Sequence, residues 1–356
     1  MSTLAPPTVH AAINGEPIPT LDDIAAEHFA LTPWVSRTPV FERADLPALE
    51  GIHVNLKFEL LQASGSFKAR SAFANLLALS EPQKRIGVTC VSSGNHAAAV
   101  AYAAMRLGLS AKVVMLDSAG TAPLALCRQY GAEVVLAAGR ADAFELVRRI
   151  EAEEGRQFIH PFNGYRTILG TATLGYEWAT QAPDLDAVIV PRSAAAWRPA
   201  SPPRCGWPIR VCACARVYGV EPSGADVMSR SFAANRPVEA RTPRTIADAL
   251  AAAIHTEEYS YELCRRHLEL LVTVDDDALR AAMLYLFTHL KTSAEPACAA
   301  PIAAPARAAA RNPARAGAWA CCWPARTSRR RVSPPISRTP GAATERRHVD
   351  DIPSLC

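Results

Sequence analysis

From about residue 50 the apolar positions switch repeatedly between two periods. HVNLKFEL (53–60) alternates residue by residue, which predicts a strand, whereas SFKARSAFANLLAL (66–79) carries apolar side chains at helical spacing. IGVTCV (86–91) is a short β-branched run, and HAAAVAYAAMRLG (96–108) a helix of small residues. The alternation continues through AKVVML (111–116), a helix over 121–130, AEVVL (132–136), a helix over 141–154 and QFIH (157–160). DAVIVP (186–191) and RVYGVEP (216–222) read as buried strands. VTV (272–274) runs into DDDALRAAMLYLFTHL, where an acidic residue is placed to cap a helix. Strands that are apolar throughout, alternating with helices, imply an α/β chain whose parallel sheets are covered by helices on both faces.

Length and composition add scale and exclusions. At 356 residues, 49% hydrophobic and 20% charged, the chain has the balance of a globular protein with room for two domains. No run approaches the ~20 apolar residues of a membrane-spanning helix. MSTLAPPTVHAAING lacks a basic stretch followed by an apolar one, so a cytoplasmic protein is expected. The net charge of +4 is unevenly spread. Residues 192–216 hold five arginines and no acid, and residues 301–356 hold ten arginines and three acids. Basic charge confined to two such segments, with no aromatic interleaving and no nucleic-acid motif, argues against a nucleic-acid partner. The cysteines show no paired spacing of the kind zinc sites use, and a disulfide framework is not expected.

Two short stretches carry chemistry. The first is Ser64-Gly65-Ser66-Phe67-Lys68-Ala69-Arg70, a tight turn that delivers a lysine to a helix start. A partly buried lysine there has its ammonium form disfavoured, as an amine that condenses with a carbonyl requires. Spacing alone favours an ordinary surface lysine on a first helical turn. The second is Ser92-Ser93-Gly94-Asn95-His96, between a strand and a helix, where main-chain N–H groups and hydroxyls suit a carboxylate. Taken singly, it also reads as a simple Ser/Asn helix cap.

In this order and about 25 residues apart, the two motifs resemble those of pyridoxal-phosphate enzymes of the tryptophan-synthase-β fold type. Within that type the chain is similar to the threonine/serine dehydratase and serine racemase group, from about Leu31 to Ala300. The resemblance implies two domains, each an open, mostly parallel sheet covered by helices. Residues 1–87 and 168–300 would form the cofactor domain, with 192–215 aberrant, and 88–167 the smaller domain. Residues 301–356 are expected to be a disordered tail. Pyridoxal 5'-phosphate is the implied cofactor, with Lys68 forming the internal aldimine and moving the α-proton. Phe67 would pack by the cofactor ring, Ser93 would serve as an acid/base on the opposite face, and Asn95 would hydrogen-bond the ring hydroxyl. Ser92, Ser93, Gly94, Asn95 and His96 would hold the substrate carboxylate. Glu221 marks where some members bind a divalent cation. The second carboxylate expected six residues on is replaced by Val227, so no metal is expected. His160 reads as a core or loop residue, and Glu295 as structural or functional alike. The implied reaction is β-elimination of L-threonine or L-serine to a 2-oxo acid and ammonia. Racemisation and β-replacement on the same fold are the alternatives, and a homodimer is the family's habit.

The fold type also needs a glycine-rich phosphate loop after Pro191 and a Ser/Thr near the C-terminal end. Those two places hold the aberrant segments. Reading Ser193 onward one base earlier permits a run beginning Val-Gly-Gly-Gly. The same shift at Trp319-Ala320-Cys321-Cys322-Trp323-Pro324 forces Gly, then Leu, Leu and Ala after one free position. Both segments therefore read as frameshifts of a dehydratase-like gene, and a catalytically impaired chain stands as a further alternative.

Overall fold

A computed structural model describes residues 12–43, 54–183, 185, 187–192, 216–251, 258–304 and 319–322. A small antiparallel ribbon, β1 (Ala12–Ile13) and β2 (Glu16–Pro17), precedes helix α1 (Leu21–Leu31). Thr20 and Asp23 form a reciprocal capping box that starts this helix. β3 (Val40–Arg43), β4 (Val54–Lys57), α2 (Lys68–Leu77) and α3 (Glu81–Ile86) follow. Next come β5 (Val88–Val91), α4 (Asn95–Leu107), β6 (Ala111–Leu116), α5 (Thr121–Gln129) and β7 (Glu133–Ala137). α6 (Arg140–Glu154) and β8 (Gln157–Phe158) lead into the long helix α7 (Tyr165–Gln181). β9 (Ala187–Pro191), β10 (Arg216–Pro222), α8 (Val227–Ala234), α9 (Glu258–His267) and β11 (Leu270–Val274) follow in turn. The last elements are α10 (Asp276–Leu290), α11 (Pro296–Ala303) and β12 (Trp319–Cys322).

The strands form two open sheets. One has the order β11-β10-β9-β12-β4-β3, parallel except for the antiparallel edge strand β3. The other, β7-β6-β5-β8, is parallel throughout. The α/β reading of the sequence is borne out. HVNLKFEL is strand only to Lys57, and Glu59–Leu61 turns as a short 3-10 segment. Asp275 caps α10 through the Ala278 N–H, the role expected of that acidic run. Within the stretch expected to lack structure, α11 runs to Ala303 and Trp319–Cys322 forms a strand between β9 and β4. Main-chain bonds to both neighbours build that strand, and such bonds are indifferent to the composition of its side chains. Residues 193–215, read from the sequence as aberrant and holding Cys205, Cys212 and Cys214, and residues 305–318 and 323–356 lie outside the described residues.

α7 is buried along most of its length and crosses α2 closely. Gly170 makes this crossing possible. A Cβ there would lie 2.6 Å from the Arg70 carbonyl oxygen and 2.7 Å from the Ser71 Cα. Beneath the crossing lies a closed charge network. Arg70 forks onto Glu59 with two bonds of 2.9 Å and reaches Glu177 at 3.0 Å. Lys57 Nζ contacts Glu177 at 2.5 Å and donates to the Thr38 carbonyl at 2.8 Å. Thr38 donates its hydroxyl to Glu59 and its N–H to Glu177. All four charged side chains are essentially inaccessible to water. Burial pushes the Glu177 carboxyl up, but Arg70 and Lys57 outweigh it and hold the group below its ordinary value.

Two outcomes follow. Gly170→Ala is expected to lower stability by about 1–3 kcal/mol, the cost of overpacking against backbone, measured by urea unfolding. Glu177→Ala leaves Lys57 without its paired carboxylate and Arg70 with Glu59 alone, and is expected to cost about 3–5 kcal/mol by the same measurement.

Candidate active site

α2 starts directly after a tight turn. Ser64 and Gly65 both take left-handed backbone, with φ of 61° and 81°. Serine adopts that conformation only where its surroundings enforce it. The hydroxyls of Ser64 and Ser66 are buried there with no protein partner. The turn packs against α4, and so does α2, which brings Lys68 to the side of the small sheet that carries Ser92–His96.

The Lys68 ammonium donates to the Pro161 carbonyl at 2.5 Å and lies 5.0 Å from the centre of the Phe67 ring. Burial, reinforced by Arg192, pushes it down to about 8. Roughly a tenth of such a group is a free amine at pH 7, against well under a thousandth for an ordinary lysine. Phe67 itself is buried in the core of the large sheet, packed with α1 and α7. The expected placement of Lys68 on a first helical turn is what the structure shows, with burial that spacing alone did not favour.

Ser92–Gly94 link β5 to α4. Ser92 Oγ accepts the Gly94 N–H at 3.2 Å, a local turn bond. Ser93 Oγ accepts the Leu116 N–H at 3.0 Å, which pins the hydroxyl to the end of β6 and leaves its proton to donate. A Cβ on Gly94 would meet nothing within 4 Å, so this face of the loop is open. Asn95 is the first residue of α4, and its Nδ2 donates to Glu295 Oε1 at 3.1 Å. His96 behaves differently from the expectation. Its imidazole turns inward, and Nε2 donates to the Ile159 carbonyl at 2.9 Å. Burial, with Lys68 adding, pushes it down to about 3, so the ring is neutral. The His96 side chain therefore brings no charge to a carboxylate, and only its main-chain N–H is placed to meet one.

The loop between β8 and α7 closes the site on another side. His160 Nδ1 accepts the N–H groups of Phe162 and Asn163 at 3.3 and 2.9 Å, so it acts as a loop residue. Ser260, on α9, donates to the Phe162 carbonyl at 3.0 Å. The Pro161 carbonyl is a Lys68 partner that the sequence does not signal, because a main-chain oxygen leaves no trace in a motif. Glu221 spends its carboxylate on protein partners. Its oxygens accept from Met228 and Ser229 at the start of α8, and Arg192 Nε lies 2.8 Å away. Among the described residues no cluster of three His, Cys, Asp or Glu side chains is placed to hold an ion. Nor is any described helix long and apolar enough to cross a membrane.

Comparison with known proteins gives this arrangement its context. The model of the family described as "Pyridoxal-phosphate dependent enzyme" matches residues 31–321. A phenylserine dehydratase from Ralstonia pickettii is 57% identical over 282 residues, 79% of this chain and 85% of that protein. An L-threonine ammonia-lyase from Thermotoga maritima is 31% identical, over 80% of this chain and 70% of that protein. Among solved structures, maize serine racemase superposes with a TM-score of 0.78 at 29% identity, covering 86% of this chain and 93% of its own. A threonine deaminase from T.th. gives 0.76 at 34% identity, covering 89% and 100%.

The depressed lysine has a measurable signature. Between pH 8 and 10.5 the unfolded chain holds the Lys68 proton and the folded chain has lost it, so stability rises with pH across that window and is lost as pH falls through 8. Urea unfolding of the cofactor-free protein should show wild type gaining on Lys68→Met from pH 7.5 to 10. A constant difference would place the amine in water.

Proposed function

Since the chain belongs to the pyridoxal-phosphate-dependent enzymes, with serine racemase and threonine dehydratase among its relatives, we propose that it dehydrates a 3-hydroxy amino acid bearing an aromatic β-substituent. The carrying observation is the 57% identity with a phenylserine dehydratase, against 31% with the L-threonine ammonia-lyase. L-Threonine and L-serine, the substrates implied by the motifs, are thereby secondary candidates. β-Elimination on the cofactor is the chemistry common to these dehydratase and ammonia-lyase relatives.

The residues present fit the carbonyl and ring ends of the cofactor. Lys68 offers a partly neutral amine, the hydroxyls of Ser64 and Ser66 lack protein partners nearby, and the loop at Gly94 is open. By the resemblance the phosphate end would fall to residues 193–215, which lie outside the described residues. When bound, the cofactor supplies a carbonyl for the substrate amine and an electron-drawing ring. Lys68, released from Pro161, takes the α-proton as general base. The N–H groups at the start of α4 orient the substrate carboxylate. Ser93, held by the Leu116 N–H, presents its proton from the end of β6. Net, the α-proton and the β-hydroxyl are lost as water, and hydrolysis of the freed enamine by one water gives a 2-oxo acid and ammonia. If Ser93 returns a proton to the α-carbon from the opposite face, the same residues racemise the substrate instead.

A second reading, an impaired chain, rests on the segment after Pro191. It carries Pro199, Pro202, Pro203 and Pro208 where a glycine-rich cradle and a helix are needed. Titration of the full chain with pyridoxal phosphate tests both readings. Visible absorbance that Lys68→Ala abolishes is expected, and its absence in wild type establishes impairment. For substrate, kcat/KM for phenylserine is expected to exceed that for L-threonine and L-serine by at least roughly tenfold. The reverse preference, or D-amino acid as the main product, overturns the proposal.

A further inference from the structure

We infer that Glu295 is a positioning residue: it sets the amide orientation of Asn95 and thereby the hold that Asn95 has on the cofactor ring. This rests on the reading of the site as one for pyridoxal phosphate. Glu295 immediately precedes α11 with extended backbone, φ −72° and ψ 161°, the posture of a helix-capping residue. A capping side chain ordinarily spends its oxygen on the first-turn N–H groups. The Glu295 carboxyl makes no such bond. It reaches instead to Asn95 Nδ2, 200 residues earlier in the chain, and also bonds the Cys298 side chain one turn on. The two ends of this bond belong to different halves of the fold. α11 packs on β9, β10 and β12 of the large sheet, whereas α4 packs on β5 and β6 of the small one.

An asparagine amide carries two N–H bonds on one end and an acceptor oxygen on the other. Glu295 takes one N–H and leaves the second for a partner on the open side of the Ser92–Asn95 loop. Without it, the amide is free to turn about its last bond and exchange N–H for oxygen. Burial, with Asp248 adding, pushes the Glu295 carboxyl up to about 8. Glutamine is therefore its close neutral counterpart at pH 7.

The test titrates the full chain with pyridoxal phosphate, following visible absorbance, in wild type, Glu295→Ala, Glu295→Gln, Asn95→Ala and the Asn95→Ala/Glu295→Ala double variant. Glu295→Ala is expected to weaken cofactor binding about tenfold, the scale of one hydrogen bond to a fixed polar group, with Glu295→Gln close to wild type. The double variant is expected to bind no more weakly than Asn95→Ala alone, because Glu295 acts through Asn95. Wild-type affinity in Glu295→Ala, equal losses in the Ala and Gln variants, or losses that multiply in the double variant each overturn the inference. Absence of binding by wild type removes the underlying reading and the inference with it. That result is recognisable because no variant then titrates.

Discussion

Four charges without water hold the centre of this molecule. Lys57, Glu59, Arg70 and Glu177 sum to zero and lie on β4, on the turn after it, on α2 and on α7. Apolar surfaces tolerate small slides past one another, whereas a bidentate arginine–carboxylate pair fixes direction and distance together. Buried ion pairs are costly to desolvate, and what they add here is registration rather than net stability. Arg70 stands two residues after Lys68, so whatever fixes the first fixes the second. Gly170 lets α7 approach closely enough for Glu177 to reach both cations. Lys68 is thus aligned by a network that it does not itself join.

Two lysines of this region, the buried Lys57 and the half-buried Lys68, sit in opposite surroundings. Lys57 meets the Glu177 carboxylate, and among the described residues Lys68 meets the Pro161 carbonyl and an aromatic ring. Burial opposes the ammonium in both, but only Lys57 has anions to compensate. Partner chemistry separates a structural cation from an amine able to react.

Much of this was legible in the chain because the informative stretches are local. Ser64–Arg70 and Ser92–His96 each contain their own turn and their own helix start, so residue order alone specifies the geometry. Strand and helix periods likewise come from near neighbours. The charge network was not legible. In HVNLKFEL, Lys57 reads as the outward-facing member of an alternating pair, yet its partner Glu177 is 120 residues away and both are buried. The Glu295–Asn95 bond is hidden for the same reason, and so is the inward turn of His96 toward Ile159. Composition misled at the end of the chain, where a segment rich in proline, alanine and arginine supplies β12. That strand's place is dictated by the strands on either side of it.

β12 is the last of the described strands in sequence and internal in space. β4 and β3 lie on one side of it and β9, β10 and β11 on the other, so without it each group ends in an unpaired edge. Those edges are templates for pairing with other chains until they are covered. Synthesis delivers the closing strand only after nearly all of the described chain has emerged. The parallel pairs it makes, with Val54–Lys57 and with Ala187–Ile189, span more than 250 and 130 residues respectively. Contacts so distant along the chain form slowly. The molecule's exposure to misassembly therefore turns on the last described strand, four residues long, acting as keystone between the two sides of its sheet.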